Sequence, residues 1–163
     1  PYLMGRLNFG GRNYTSGSIS ALAYWGNDTA LVGPDPVDWF RTGVAWNLKY
    51  KVFDFYGALI WDKISGLSAG IQPFFDDNAF GATIEADFLA TSHILFSFRY
   101  DQLNAGGFLG QRENAKVITA QIRYYPRDNL AFYLRDSHNI EEVSLNPLQN
   151  FRNFITLGAD VDF

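Results

Sequence analysis

Between Thr91 and Asp101 the side chains alternate so strictly that Ile94, Phe96, Phe98 and Tyr100 fall on one face and Ser97, Arg99 and Asp101 on the other. A period of two puts successive side chains on opposite sides of an extended chain, whereas a helix returns them every three or four residues. The same period recurs along the chain, and no stretch of it requires a helix. No apolar run approaches the roughly 18 to 20 residues of a membrane-spanning helix, so a helical membrane protein is excluded and the chain is expected to be all-β.

The alternation resolves into hairpins. Gly81 to Leu89 sets Ala82, Ile84, Ala86 and Phe88 against Thr83, Glu85 and Asp87, and Ala90 to His93 links it to the Thr91 strand. Val117 to Tyr125 and Leu130 to Ser137 are joined by Pro126 to Asn129, where proline has no N–H to give a ladder. Their apolar side is Ile118, Ala120, Ile122, Tyr124, then Leu130, Phe132 and Leu134. Trp39 to Tyr50 pairs with Val52 to Asp62, turning Phe40, Val44, Trp46, Leu48 and Tyr50, then Phe53, Phe55, Leu59 and Trp61, to one side. Arg41, Asn47, Lys49, Asp54, Tyr56 and Asp62 take the other. Thr15 to Trp25, Tyr2 to Phe9 and Phe154 to Phe163 complete nine strands, in one domain.

Links of two kinds alternate between these strands. Short turns lie around Lys49 to Val52, Ala90 to His93 and Pro126 to Asn129, and longer loops cover 26–38, 65–78, 104–114 and 141–153. Strands of roughly 9 to 11 residues have the length of a tilted crossing of a bilayer's hydrocarbon core. Composition bears on what meets the apolar side. Aromatic residues make up 17% of the chain and charged residues only 18%, which leaves little charge to cover a water-facing surface. Several adjacent strands with Phe, Ile and Leu turned to water would exceed the few hundred Å² of apolar patch a soluble monomer tolerates, so that side must meet lipid or a protein core.

The final strand, Asn153-Phe-Ile-Thr-Leu-Gly-Ala-Asp-Val-Asp-Phe163, alternates Ile155, Leu157, Ala159 and Val161 and ends on an aromatic residue. In this it resembles the C-terminal strand of Gram-negative outer-membrane β-barrels. Arg99-Tyr100-Asp101 and Ile122-Arg-Tyr-Tyr-Pro126 likewise resemble porin hairpins, with an aromatic near a short turn. The resemblance implies an antiparallel up-and-down transmembrane β-barrel in the outer membrane, with short turns periplasmic, long loops extracellular, and Phe163 read by the barrel assembly machinery. Because single-chain bacterial barrels have even strand numbers, nine strands point to the C-terminal part of a larger barrel. The alternative is a complete eight-stranded barrel from about Thr15, with the first ten or so residues a periplasmic lead-in. No secretion signal is visible, as if it were removed or the sequence began partway through a longer protein.

On this reading Arg6, Arg41, Lys49, Arg99, Arg123 and Arg135 face the lumen together with Asp54, Asp62, Glu85, Asp87, Asp101, Asp160 and Asp162. Such a mixed set lines an aqueous channel, or plugs a narrow barrel as a ladder of pairs, depending on strand number. Phe40, Trp46, Tyr50, Phe53, Phe55, Trp61, Ile94, Phe96, Phe98, Tyr100, Tyr124 and Phe132 face lipid or form interfacial girdles, and Trp39 joins the aromatics near strand ends.

Chemistry beyond this is thin. Without cysteine there is no disulfide, thiolate site or covalent haem attachment. His93 and His138 are expected as solvated residues near strand ends, without a carboxylate at ligand spacing. Each follows a serine, and strand neighbours point apart, so neither pair makes a nucleophile and base. Asp76-Asp77-Asn78 is an ordinary acidic loop or a weak Ca²⁺ site. Gly10-Gly11 and Gly106-Gly107 read as turns. A net charge of −4 with scattered cations excludes nucleic acid as a partner. No enzyme activity and no cofactor are expected. The function classes left are a porin-like channel for small solutes or ions, a structural sheath anchoring a partner such as a multihaem cytochrome, and a small soluble ligand-binding barrel. Partners would be outer-membrane lipid, the assembly machinery, and for the sheath a periplasmic or extracellular protein.

Overall fold

Alternating chains with two-residue links have one simple way to satisfy their backbones, which is to pair each strand with the next. The computed structural model does this over its described residues, 2–11, 15–29, 36–65, 78–106, 112–140 and 153–161. Nine strands, β1 (Tyr2–Gly11), β2 (Thr15–Thr29), β3 (Pro36–Tyr50), β4 (Phe53–Ser65), β5 (Asn78–Thr91), β6 (Ile94–Gly106), β7 (Arg112–Arg127), β8 (Leu130–Asn139) and β9 (Asn153–Val161), form one antiparallel up-and-down sheet in sequence order. The sheet is open: β1 pairs with β2 alone and β9 with β8 alone.

β1 is a full member of the sheet, in register with β2 over its whole length, so the first ten residues are not a lead-in and no closed eight-stranded barrel forms. Most strands run further than the alternation suggested, β2 to Thr29 and β7 back to Arg112, because ladder hydrogen bonds do not stop where the apolar side chains do. Gly10 and Gly11 are ladder residues opposite Ser16 and Thr15, and Gly106 ends β6, so none of these is a turn. Three hairpins close through two residues each, Lys51-Val52, Ser92-His93 and Asp128-Asn129, and Lys51 takes the left-handed backbone (φ 55°) that such tight hairpins use. Pro126 falls where the β7–β8 register shifts between Tyr124 and Arg127, a bulge that spares it from donating.

The register carries the two-faced pattern across all nine strands, slipping only beside two short turns, at Leu89–Thr91 and Tyr124–Arg127. One row reads Phe9, Gly17, Leu48, Phe55, Ala86, Phe98, Ala120, all on the apolar side. Among the described residues no second layer covers it. Phe98 is 52% exposed and Leu157 80%, and the one buried hydrophobic side chain among the described residues is Ala131. The polar side is the concave one: Tyr56 on β4 and Phe154 on β9 line the same hollow, though a flat sheet would hold those strands about 24 Å apart.

The apolar band crosses the strands obliquely. Continuing the row above, Asp136 on β8 is the first polar residue on its side of the sheet, and the row reaches β2 at Gly17, ten residues short of that strand's own border at Asn27. Ten residues of rise over six strand spacings correspond to an angle of about 50°. Near the short turns, the row from Tyr50 reaches Leu157 on β9, four residues before the band ends at Val161, or about 25°.

Four aromatic rings lie over glycines that are their register partners on the next strand: Phe9 on Gly17, Trp39 on Gly26, Trp46 on Gly57 and Tyr133 on Gly158. A Cβ at Gly57 would stand 2.5 Å from both the Trp46 ring and the Thr83 carbonyl oxygen, which is backbone and cannot step aside. Gly57→Ala is expected to lower unfolding stability in urea by about 1–3 kcal/mol. Gly81→Ala, whose Cβ would meet nothing within 4 Å, is expected to leave the midpoint unchanged.

Candidate functional site

The concave face gathers the charged residues. Strand pairing sets Arg41 opposite Asp62, Lys49 opposite Asp54 and Arg99 opposite Glu85, so each cation meets an acid by register alone. Arg41 donates from Nε and Nη2 to the two oxygens of Asp62, at 2.6 and 2.8 Å. Such a fork holds both geometry and charge. Lys49 lies 3.2 Å from Asp54, which also accepts from Asn47 at 2.9 Å. Arg99 bonds Asp101 at 2.7 Å, two residues along its own strand, and reaches Glu85 at 4.0 Å. Arg123 reaches over β8 to Asp160 on β9, 3.6 Å away, a span that the curvature permits.

The other two cations have no acid partner among the described residues. Arg6 donates to Ser18 at 3.3 Å and Arg135 to Gln121 at 2.8 Å. Arg135 and Arg123 both approach the Tyr133 ring, at 5.3 and 5.8 Å from its centre, so each gains a cation–π contact. Asp162 and Phe163 lie outside the described residues, as do Asp76 and Asp77.

The charges are sorted laterally. β4 to β6 bring Asp54, Asp62, Glu85, Asp87 and Asp101 with one cation, Arg99, whereas along Val117–Tyr125 and Leu130–Asn139 the concave side presents Arg123 and Arg135 and no acid. Between the two lies a hollow of about 500 Å³ bordered by Tyr56, Glu85, Arg99, Gln121, Arg123 and Arg135. Its floor is closely satisfied at Ser137, 2% exposed and hydrogen-bonded to Thr119 at 3.0 Å. It is less so at Arg123 Nε, which is enclosed without a hydrogen-bond partner among the described residues, as is Asp87 Oδ1 elsewhere on the concave face. An enclosed unpaired donor on the border of a hollow is a place for water.

One part of this face is not charged. Ile60, Gly81, Leu103 and Ala115 form a row on the concave side, with Ala58 and Val117 beside it, around a second hollow of about 330 Å³. Counting parity along β4 and β6 from Asp62 and Asp101 would have found Ile60 and Leu103, each of which is an apolar residue on a polar parity.

Both histidines depart from expectation. Ser92 and His93 form the two-residue turn itself, where the strand rule on neighbours lapses, and Ser92 Oγ sits 2.8 Å from His93 Nδ1. No carboxylate completes that pair among the described residues. His138 is a strand residue on the convex side, flanked by Asp136 at 2.8 Å and Asn153 at 2.7 Å; a carboxylate two residues away does share its face. Ser137 points to the other face, as expected of a strand neighbour. No group of three or more His, Asp or Glu among the described residues is placed to share a metal ion.

The aromatics sort along the oblique borders of the band. Tyr50, Phe53, Phe132 and Tyr124 mark the short-turn side, and Phe40, Trp61 and Tyr100 the loop side, where the Tyr100 hydroxyl donates to Gln102 at 3.0 Å. Two assignments change. Trp46 lies inside the band over Gly57 rather than at a strand end, and Trp39 belongs to the concave side over Gly26. Phe55, Ile94, Phe96 and Phe98 take the convex side as expected.

Exposed ion pairs contribute little, and the Arg41–Asp62 fork has Arg41 more than half exposed. A double-mutant cycle on Arg41→Ala and Asp62→Ala is expected to give a coupling of about 0.2–1 kcal/mol in urea unfolding. No family model, curated protein or solved structure matches the chain.

Proposed function

We propose that this sheet is part of the wall of an outer-membrane β-barrel whose charged concave face lines a passage for small solutes or ions. The observation that carries the reading is the apolar face, continuous across nine strands and without a covering layer among the described residues. Water is a poor solvent for such a surface and acyl chains a good one. The oblique band supports it further: its two borders bracket the roughly 35–45° strand tilt of membrane barrels, and aromatics collect along both. The open edges at β1 and β9 would be paired by further strands, since lipid offers backbone groups no partner.

Passage would be governed by charge. Acids on β4 to β6 and arginines on β7 and β8 put opposite signs on neighbouring parts of one wall, so a charged solute is drawn to one part and turned from the other. Folded protein in a planar bilayer is expected to conduct ions, and Arg123→Glu to shift the reversal potential toward cation preference. Inserted protein that passes no current would sink the channel.

The apolar row of Ile60, Leu103 and Ala115 favours a second reading, a sheath around a partner, because an aqueous channel has no use for exposed leucine and isoleucine. A sheath holding its partner conducts almost nothing, and Leu103→Asp should release that partner from detergent extracts of cells.

Orientation has its own test. Phe96→Lys puts a charge on the convex side, at a cost of about 2–4 kcal/mol near mid-bilayer, and should impair insertion. Ser97→Lys should be tolerated; equal tolerance of the two overturns the assignment of faces.

A further inference from the structure

On the convex side, where the apolar band meets its loop-side border, a groove of about 420 Å³ crosses from β3 to β7. The rings of Phe40, Trp61 and Phe80 wall it, the last two 5.2 Å apart between centres, and Lys63, Asn78, Asn104 and Asn114 stand along its polar side. Register places these seven together: Phe40 opposite Lys63, Lys63 opposite Asn78, Trp61 opposite Phe80, Phe80 opposite Asn104 and Asn104 opposite Asn114. Thr42 also borders the groove, but its hydroxyl is already given to the Leu22 carbonyl at 3.1 Å. Asp62, the one acid among the lining residues, is held by the Arg41 fork on the concave side. Lys63 makes no ion pair with any described residue, which leaves it as the groove's uncompensated charge.

An aromatic trough ending at an ammonium and three amides has two chemistries in sequence. The trough offers apolar contact without hydrogen bonds, whereas the ammonium carries three donors and each amide two more. An amphiphile with an anionic, oxygen-rich head satisfies both parts at once, and a compact cation such as lysine's binds phosphate as a point charge. We propose that the groove binds one anionic, phosphate-bearing membrane lipid, with an acyl chain along Phe40, Trp61 and Phe80 and the phosphate at Lys63. This rests on the membrane reading above, which puts the convex side in lipid and the loop-side border at the headgroups.

Native mass spectrometry of the chain folded in micelles with equimolar dimyristoyl phosphatidylglycerol and phosphatidylcholine tests it. The wild type is expected to retain the glycerol lipid about three- to tenfold over the choline lipid, the scale of one charge-assisted contact at a partly dry site. Lys63→Ala should bring the two to parity and Lys63→Arg should keep the preference. Lys51→Ala, in a turn at the other end of the strands, should change nothing. Parity in the wild type, an undiminished preference in Lys63→Ala, or loss of the preference to excess inorganic phosphate each overturns the proposal. Insertion of the wild type into pure phosphatidylcholine vesicles, read by protease protection, separates the two failures. Normal insertion without preference removes only the groove, and failure to insert removes the membrane reading and the groove with it.

Discussion

A sheet of one layer cannot bury its own apolar side. In most folds a helix or a second sheet supplies the cover, and the cover is where stability is made. Here strand-to-strand hydrogen bonds satisfy the backbone internally, but about two dozen large apolar side chains on that side stay exposed until something outside the described chain meets them. Every other feature follows from that division. The ladder can be regular because no core has to be packed, and the side chains can alternate strictly because each parity answers to only one environment.

The two sides are held by different means. On the convex side the contacts are ring on ring, such as Phe53 with Phe88 at 5.0 Å, and ring on glycine, as at Trp46 and Gly57. On the concave side they are ionic and mostly between adjacent strands, so that pairing by register brings opposite charges together with little side-chain freedom to lose. Arg123 is the exception, spanning two strands to Asp160, and it joins the curvature of the sheet to its electrostatics. Were the wall flatter, that pair would part and the enclosed Nε of Arg123 would meet water.

Most of the fold was legible in the sequence, and for a physical reason: a period of two needs only near neighbours to be read. The nine strands, the three short turns and the sidedness of residues such as Phe96, Phe98, Arg99 and Asp101 come from that local signal. What escaped depends on pairs distant in sequence. Nothing near Trp46 announces Gly57 as its partner, and Trp39 looked like a border residue until Gly26 was found beneath it. Ile60 and Leu103 were hidden for another reason: each is an apolar residue on a polar parity, and Leu103 lies beyond Asp101, where the clear alternation stops. His138 gained Asp136 and Asn153 because its strand runs past Ser137, where the apolar signal had stopped. The strand ends were underestimated for the same reason, since polar residues extend a ladder as readily as apolar ones.

The rings seated on glycines also index the wall. If β4 slid by two residues against β3, parity would be preserved and the solvent on each side would not object, yet Trp46 would come down on Phe55 or Leu59 instead of on bare backbone. A shift of β9 along β8 would similarly set Tyr133 against Thr156 or Asp160. These seats therefore act like the teeth of a ratchet: they correct the one assembly error that alternation cannot detect, and they spread that duty over four of the eight seams.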